Sequence, residues 1–338
     1  MVSCNYNTLV SKKSKINISD FIITILVTIL IIILVSSPSK YAKTTYGGLQ
    51  LFALNVFPTL FPFIFLSKII SSLQTPIIIS SKLSRTATKV FRSPPIVIYV
   101  FFLSIVCGYP IGAKLVSDLY DSKTINQTQA KTMSYFCSTS GILFIVGTIG
   151  NIMFGSSKIG VIIYVSHIIG CFIGGLVLSR LDKHFDVQAK PLEQKGSSNI
   201  FSSSVWASVK SILIVGAYIT LFCLFSSIIC DLFITRLAGN FFNKLIGTIS
   251  GNSQVFQCVM SGIIEMTNGC YMLSRFISPA AVIICCGLVS FGGFSIILQS
   301  LTFLKNTKIK ARTLVLTKFV HAIFSILTCL PLVIILGV

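Results

Sequence analysis

The chain reads as a series of apolar runs separated by short polar breaks. After a first run from Phe21 to Val35, apolar segments follow at about 47–67, 95–112, 133–155, 159–179, 205–233, 253–274, 279–304 and 313–337. A helix needs about 20 mostly apolar residues to cross a hydrocarbon core of about 30 Å, and only helices and closed barrels satisfy their backbone there. The run lengths suit helices, so the pattern predicts an all-α polytopic membrane protein. Two segments are too short on one side of a break. About 13 apolar residues lead into Gly108, and about 12 lead from Ser253 into Glu265. Charge follows soon after each break, at Lys114, Asp118 and Asp121 in one case and Arg275 in the other. Both are predicted to be re-entrant hairpins with tips near the midplane, where irregular backbone is tolerated only if buried in protein or lining a wet cavity.

The longest polar interruption, 181–204, divides the chain into two similar halves. The order is a basic N-terminus and first transmembrane helix (1–46), a first repeat (47–180), a linker expected to be cytoplasmic (181–204) and a second repeat (205–338). Each repeat holds a helix, a segment broken by a Gly motif, a segment broken by a polar Ser/Gly motif, and a helix with one buried His. In the first these are Phe57–Ile70, Gly108-Tyr109-Pro110-Ile111-Gly112, Ser138-Thr139-Ser140-Gly141 and the His167 helix. In the second they are Val209–Ile229, Glu265-Met266-Thr267-Asn268-Gly269, Ser290-Phe291-Gly292-Gly293-Phe294-Ser295 and the His321 helix.

Charge tests the hairpin reading, because each hairpin counted as a span flips the side of everything after it. With an inside N-terminus and nine spans, 16 of the 27 Lys and Arg flank inner ends. With two hairpins and seven spans, 21 do: Lys12–Lys15, Lys68–Arg92, Lys114–Lys131, Arg180–Lys210 and Lys305–Lys318. Lys40, Lys43, Lys158, Arg236, Lys244 and Arg275 remain outside. The positive-inside bias favours the second count. Three crossings per repeat then require the repeats to be inverted, the architecture of many secondary transporters.

Composition agrees: 54% of residues are hydrophobic, 10% are charged, and mean hydropathy is +0.90. The net charge of +19 is spread between apolar segments rather than gathered on one basic face, so it reads as topology and not as nucleic-acid binding. The eleven Cys lack paired metal spacing and read as small core residues. Lys12, Lys13 and Lys15 before an apolar run outline a signal peptide, but Ser36-Ser37-Pro38-Ser39-Lys40 lacks a small-x-small cleavage site, so a retained first helix is expected.

Only eight acids exist, and Glu265 alone sits deep in an apolar segment. An acid at membrane depth is a functional hypothesis by default. Glu265 is a candidate for coupling to a proton or cation, or for bonding a substrate; its structural alternative is pairing with Lys318 or with the backbone of its own tip. In the first hairpin Tyr109 offers an aromatic face, Pro110 interrupts the helix, and Lys114 is either an interfacial anchor or an attractor of anions. Ser138, Thr139 and Ser140 are predicted to interrupt the helix opposite the first tip, and Ser290, Ser295 and Gln299 the helix opposite the second. No nucleophile is paired with a base, no P-loop is present and carboxylates are few, so no enzyme is expected.

These motifs, with Phe57-Pro58-Thr59-Leu60-Phe61-Pro62-Phe63, resemble the YlbJ-type sporulation integral membrane proteins over about residues 45–338. That family carries nucleoside-recognition, or Gate, domains and looks distantly related to concentrative nucleoside transporters, whose inverted repeats have re-entrant hairpins. The resemblance implies a mother-cell membrane protein needed for spore maturation, with a cytoplasmic N-terminus, that moves dipicolinate across the outer forespore membrane. It implies substrate contacts at Tyr109, Pro110, Lys114, Thr139, Ser140, Glu265, Asn268 and Ser295, coupling at Glu265, and no cofactor beyond a coupling proton or cation. Ile142-Leu143 stand where relatives are expected to have Pro. The expected partners are a small anion such as dipicolinate and the lipid bilayer, not nucleic acid; a homo-oligomer is compatible with the sequence. The alternatives are a nucleoside or nucleobase transporter and a non-transporting scaffold for cortex assembly.

Overall fold

A computed structural model of the chain describes residues 18–73, 78, 80, 82–188, 199–231 and 255–337. Lys12, Lys13, Lys15, Arg236, Lys244 and much of the linker lie outside the described residues. The chain divides into two compact units, 1–43 and 44–338. The first contains α1 (Ile18–Ser36), an apolar helix with no buried residue. Pro38 then starts α2 (Pro38–Ile70), a 33-residue run that is π-helical at Leu51–Val56. Pro58 can supply no N–H to the turn before it, and the ladder widens there, with Phe57 N–H bonding the Phe52 carbonyl.

The second unit continues with α3 (Val97–Cys107), α4 (Ile111–Asp121), α5 (Gln127–Ser134), π-helical α6 (Leu143–Met153) and α7 (Ser157–Leu181). After the linker come α8 (Ile200–Asp231), α9 (Val255–Ile264), α10 (Met266–Leu273), α11 (Pro279–Phe291), α12 (Gly293–Phe303) and α13 (Ala311–Leu336). Among the described residues no strand occurs, and six helices are long and apolar enough to cross a membrane: α1, α2, α7, α8, α11 with α12 (Pro279–Phe303), and α13. The chain is an all-α polytopic membrane protein.

The count of seven spans meets one exception. The run 133–155 is not a continuous helix: α5 ends at Ser134, residues 135–141 are unwound, and only the 11-residue α6 follows. The break predicted at Ser138-Thr139-Ser140-Gly141 is present, but it starts earlier, at Tyr135, where Tyr135, Phe136 and Cys137 are themselves apolar and buried and carry no hydropathy signal.

Both Gly motifs reverse the chain. In a continuous helix Ser104 and Gly112 would stand about 12 Å apart at about 1.5 Å per residue. Instead a Cβ on Gly112 would lie 2.7 Å from the Ser104 hydroxyl and would run into the Cys137 carbonyl. Gly269 likewise packs directly on the backbone of Gly262. The ends confirm the first reversal: Lys68, before the hairpin, bonds Asp118, after it, at 2.6 Å.

The same end of this unit collects other polar ties. Lys131 pairs with Asp182 at 2.7 Å, Arg92 donates to the Ser179 carbonyl at 3.0 Å, Arg180 donates to the Val90 carbonyl at 3.0 Å, and Asn306 donates to Asp121 at 3.0 Å. Segments assigned to one side by charge are therefore bonded to one another. Lys158, assigned to the opposite side, bonds the Leu336 carbonyl at the end of α13. Lys318 departs from its assignment: it is no flanking charge but a core side chain only 2% exposed.

Candidate functional site

An unwound segment inside a membrane protein must find partners for its backbone. The segment 135–141 finds them on α7 and α13. His321 Nε2 lies 2.9 Å from the Tyr135 carbonyl, Lys318 Nζ donates to the Ser138 carbonyl at 2.7 Å, and Ser140 N–H donates to His167 Nε2 at 2.8 Å. That last bond fixes the His167 tautomer. Nε2 accepts, so Nδ1 carries hydrogen and donates to Ser290 Oγ at 2.8 Å, and Ser290 in turn donates to the Cys286 carbonyl at 2.9 Å. His167 thus ties the break of the first half to α11 of the second.

The tip of the first hairpin lies against this segment. Gly108 takes φ +78°, and a Cβ there would strike the Gly141 backbone, so glycine is needed both for conformation and for approach. Tyr109 follows, joined to Pro110 by a cis peptide bond. Its hydroxyl donates to the Val289 carbonyl at 2.8 Å, and Lys318 Nζ stands 3.8 Å from its ring centroid. Thr139 Oγ1 meets Ser104 Oγ at 2.9 Å, holding the segment to α3.

The second tip is built differently. Glu265 is extended (φ −135°, ψ 108°), and its side chain caps α10, accepting the Asn268 N–H at 2.7 Å. The Asn268 side chain donates to Ser261 Oγ at 2.9 Å, which meets Ser226 Oγ at 2.9 Å. Gly292 and Gly293, at φ +79° and +71°, break α11 from α12 and place Gly293 against the backbone of Gly262 and Met266. Each hairpin tip therefore rests on the broken helix of its own half. Among the described residues Glu265 and Lys318 are the buried charged side chains, and they do not pair with each other.

Between the tips is a cavity of about 30 Å³, lined by Tyr109, Ser140, Glu265, Thr267 and Gln299 with apolar side chains around them. That is room for one water. On the far side of the second tip lies a vestibule of about 570 Å³, bounded by α2, α8 and the hairpin, with Asn55, Ser226, Ser261 and Asn268 among its walls. On the far side of the first tip the space shrinks to about 10 Å³ beside Pro110, Lys68 and Lys114. Along α2 and α8 the three lie in order: vestibule, second tip, small cavity, first tip, constricted end.

The predicted residues divide accordingly. Tyr109, Ser140 and Glu265 meet at the cavity between the tips. Asn268 faces the vestibule. Thr139 is bonded to Ser104, and Ser295 is fully buried behind Gln299, whose Nε2 donates to it at 3.2 Å. Lys114 bonds Asp118 together with Lys68, so the ammonium at the Tyr109 ring is that of Lys318. Pro110 caps α4. Ser104 and Ser261 escaped notice, yet each stands four residues before its tip, at Gly108 and Glu265, a spacing visible once the repeats are aligned. Among the described residues no group of three or more His, Cys, Asp or Glu could hold a metal ion.

No protein-family model matches the sequence, and no solved structure matches it. A curated relative, the sporulation integral membrane protein YlbJ of Bacillus subtilis (strain 168), is 23% identical over 342 residues, covering 93% of this chain and 82% of the relative. A match of that extent takes in both hairpins. Over nearly its whole length, then, the chain is similar to the YlbJ-type sporulation integral membrane proteins that its hairpin motifs resemble.

Proposed function

We propose that the protein is a sporulation membrane transporter that moves a small aromatic dicarboxylate, dipicolinate, from the mother cell across the outer forespore membrane. It works as a carrier and not as an enzyme, with its N-terminus in the cytoplasm. The observation that carries the reading is the series of spaces along α2 and α8: a ligand-sized vestibule, a water-sized cavity between the two hairpin tips, and a constricted end. Ligand sites ordinarily occupy about 300–1,000 Å³. The vestibule is of that size and the central cavity is far below it, as expected of a carrier whose central site is collapsed while one entrance is wide. Substrate would reach the central site when a tip withdraws from the broken helix it rests on.

At that site Lys318 and the Ser140 hydroxyl favour a carboxylate, and the Tyr109 ring offers a face for a flat pyridine. Glu265 would repel a dianion while ionised, so transport carries a proton or cation with the substrate. Uptake of radiolabelled dipicolinate into proteoliposomes of the purified chain, with an imposed proton gradient, tests the reading. Saturable uptake abolished by Glu265→Ala supports it; absence of both uptake and binding by correctly folded protein overturns it.

One observation favours a second reading. No charged side chain is among the described residues lining the vestibule, where amides and hydroxyls predominate. Such walls suit an uncharged polar solute, as a nucleoside or nucleobase would be. Competition for uptake by unlabelled nucleosides, but not by dicarboxylates, would select it.

A further inference from the structure

The small cavity between the tips holds one unmatched acceptor. Gln299 is fully buried, its Nε2 is committed to Ser295 Oγ, and its Oε1 has no hydrogen-bond partner. A buried acceptor left without a donor is destabilising, because its lost hydration is not replaced. The same small cavity is lined by Glu265, 1% exposed, which as an ionised carboxylate is acceptor only. That carboxylate already accepts from the Asn268 N–H and from Thr267, so it is Gln299 Oε1 that lacks a hydrogen, and a protonated Glu265 carboxyl lining the same space is a group able to supply one.

We propose that Glu265 and Gln299 form a one-proton site. The carboxylate takes one proton from water of the vestibule and becomes a neutral carboxyl whose O–H is donated to Gln299 Oε1, directly or through the single water the cavity can hold. The other carboxyl oxygen keeps the Asn268 N–H, so the cap of α10 survives the change. Gln299 is a positioning residue: it stabilises the protonated form and turns its hydrogen toward the cavity. The inference deepens the transport reading by naming what accompanies the anion, since the neutral site no longer repels a carboxylate.

Other titratable side chains stand around the site, among them His167 of α7, whose ring centroid lies 6.4 Å from that of Tyr109. Cys223 on α8 is close enough to sense the Glu265 charge. Tyr109 faces the cavity from the first hairpin, and Lys318 reaches that ring from α13. Cys258 and Cys270 lie on the two arms of the second hairpin, and Cys285 lies on α11. Access runs from the vestibule through Ser226, Ser261 and Asn268, which line it and are bonded in series.

Infrared difference spectra of the full-length protein in detergent, recorded between acid and alkaline pH, test the site without any substrate. The expected result is a protonated-carboxyl C=O band that Glu265→Gln removes. In Gln299→Met the band should move to higher frequency and its midpoint should fall by about one pH unit, the equivalent of one lost hydrogen bond. Helicity and elution profile show that each variant is folded. Absence of a band attributable to Glu265, or an unchanged band and midpoint in folded Gln299→Met, overturns the proposal. Because substrate is not needed, failure here leaves the transport reading standing, and failure of dipicolinate uptake leaves this site standing.

Discussion

A single carboxylate does two jobs at the second tip, and substitutions separate them. Glu265 caps α10 through one oxygen and faces the cavity shared with Tyr109 and Gln299. Glu265→Gln keeps an acceptor for the cap and supplies the neutral, donating form permanently; uptake should persist but lose its dependence on a proton gradient. Glu265→Ala removes both functions, costing the cap about 0.5–2 kcal/mol and abolishing uptake. Parallel thermal unfolding and flux assays distinguish the two outcomes, and equal loss of flux in both variants would refute a neutral role. Lys318 is the complementary case. A buried ammonium over an aromatic ring, with a carbonyl and no carboxylate as partner, is costly to keep, and positive potential at the site would repay it. At an effective dielectric of about 20, a carboxylate roughly 8–10 Å away gains about 1.7–2 kcal/mol. Lys318→Met should therefore raise the KM for an anionic substrate roughly 15- to 30-fold while leaving a neutral solute unaffected. An equal effect on both solutes would make Lys318 purely a partner for Ser138.

The hairpins are where sequence and structure correspond best. Arm length and charge pointed to two reversals, and the close approaches at Gly112 and Gly269 are those reversals in atomic detail. Their glycines should be irreplaceable: Gly112→Ala and Gly269→Ala each force a methyl group into backbone and should abolish recovery of folded protein. Gly147→Ala on α6, where nothing lies within 4 Å, should be tolerated. Expression and monodispersity of the three variants provide the check. The Ser138-Thr139-Ser140-Gly141 motif marked the break in 135–141 but not its stabilising partners, His167, Lys318 and His321, which come from helices distant in sequence. For the same reason Lys318 looked like a flanking charge, and Lys114 looked like a tip residue until Asp118 was seen to hold it. At the polar end of this segment, burial alone would raise the Asp182 carboxyl, but the Lys131 ammonium, the Tyr135 hydroxyl and the His184 N–H outweigh it and hold it below its ordinary 3.8. Its stabilising contribution is complete above that value and is lost as pH falls through the depressed one. Asp182→Asn should lower stability at neutral pH and flatten the acid limb of the unfolding curve, with variant and wild type converging in strong acid.

Access to the two ends of the core is unequal, and this asymmetry makes a statement about the whole molecule that requires no knowledge of the substrate. The vestibule reaches the second tip with about 570 Å³ of space, while the first tip is covered by Lys68, Lys114 and their shared Asp118. On the proposed orientation, with a cytoplasmic N-terminus, the vestibule is on the side of Lys158 and Arg275, away from the cytoplasm. Cys230, half-buried in the vestibule wall, is a native reporter of that side. A membrane-impermeant maleimide added to right-side-out vesicles should label it, Cys230→Ser should remove the label, and inside-out vesicles should show none at this position. Ser211→Cys, at the constricted end, should be unreactive from either face while Lys68 and Lys114 hold Asp118. Asp118→Asn weakens both ion pairs at once and should expose Ser211→Cys to reagent on the cytoplasmic face. If the carrier alternates, the same substitution should protect Cys230, because one tip opens as the other closes. Loss of closure at one end with unchanged labelling at the other would instead describe a pore or a passive scaffold, and would remove the mechanical basis for coupled transport.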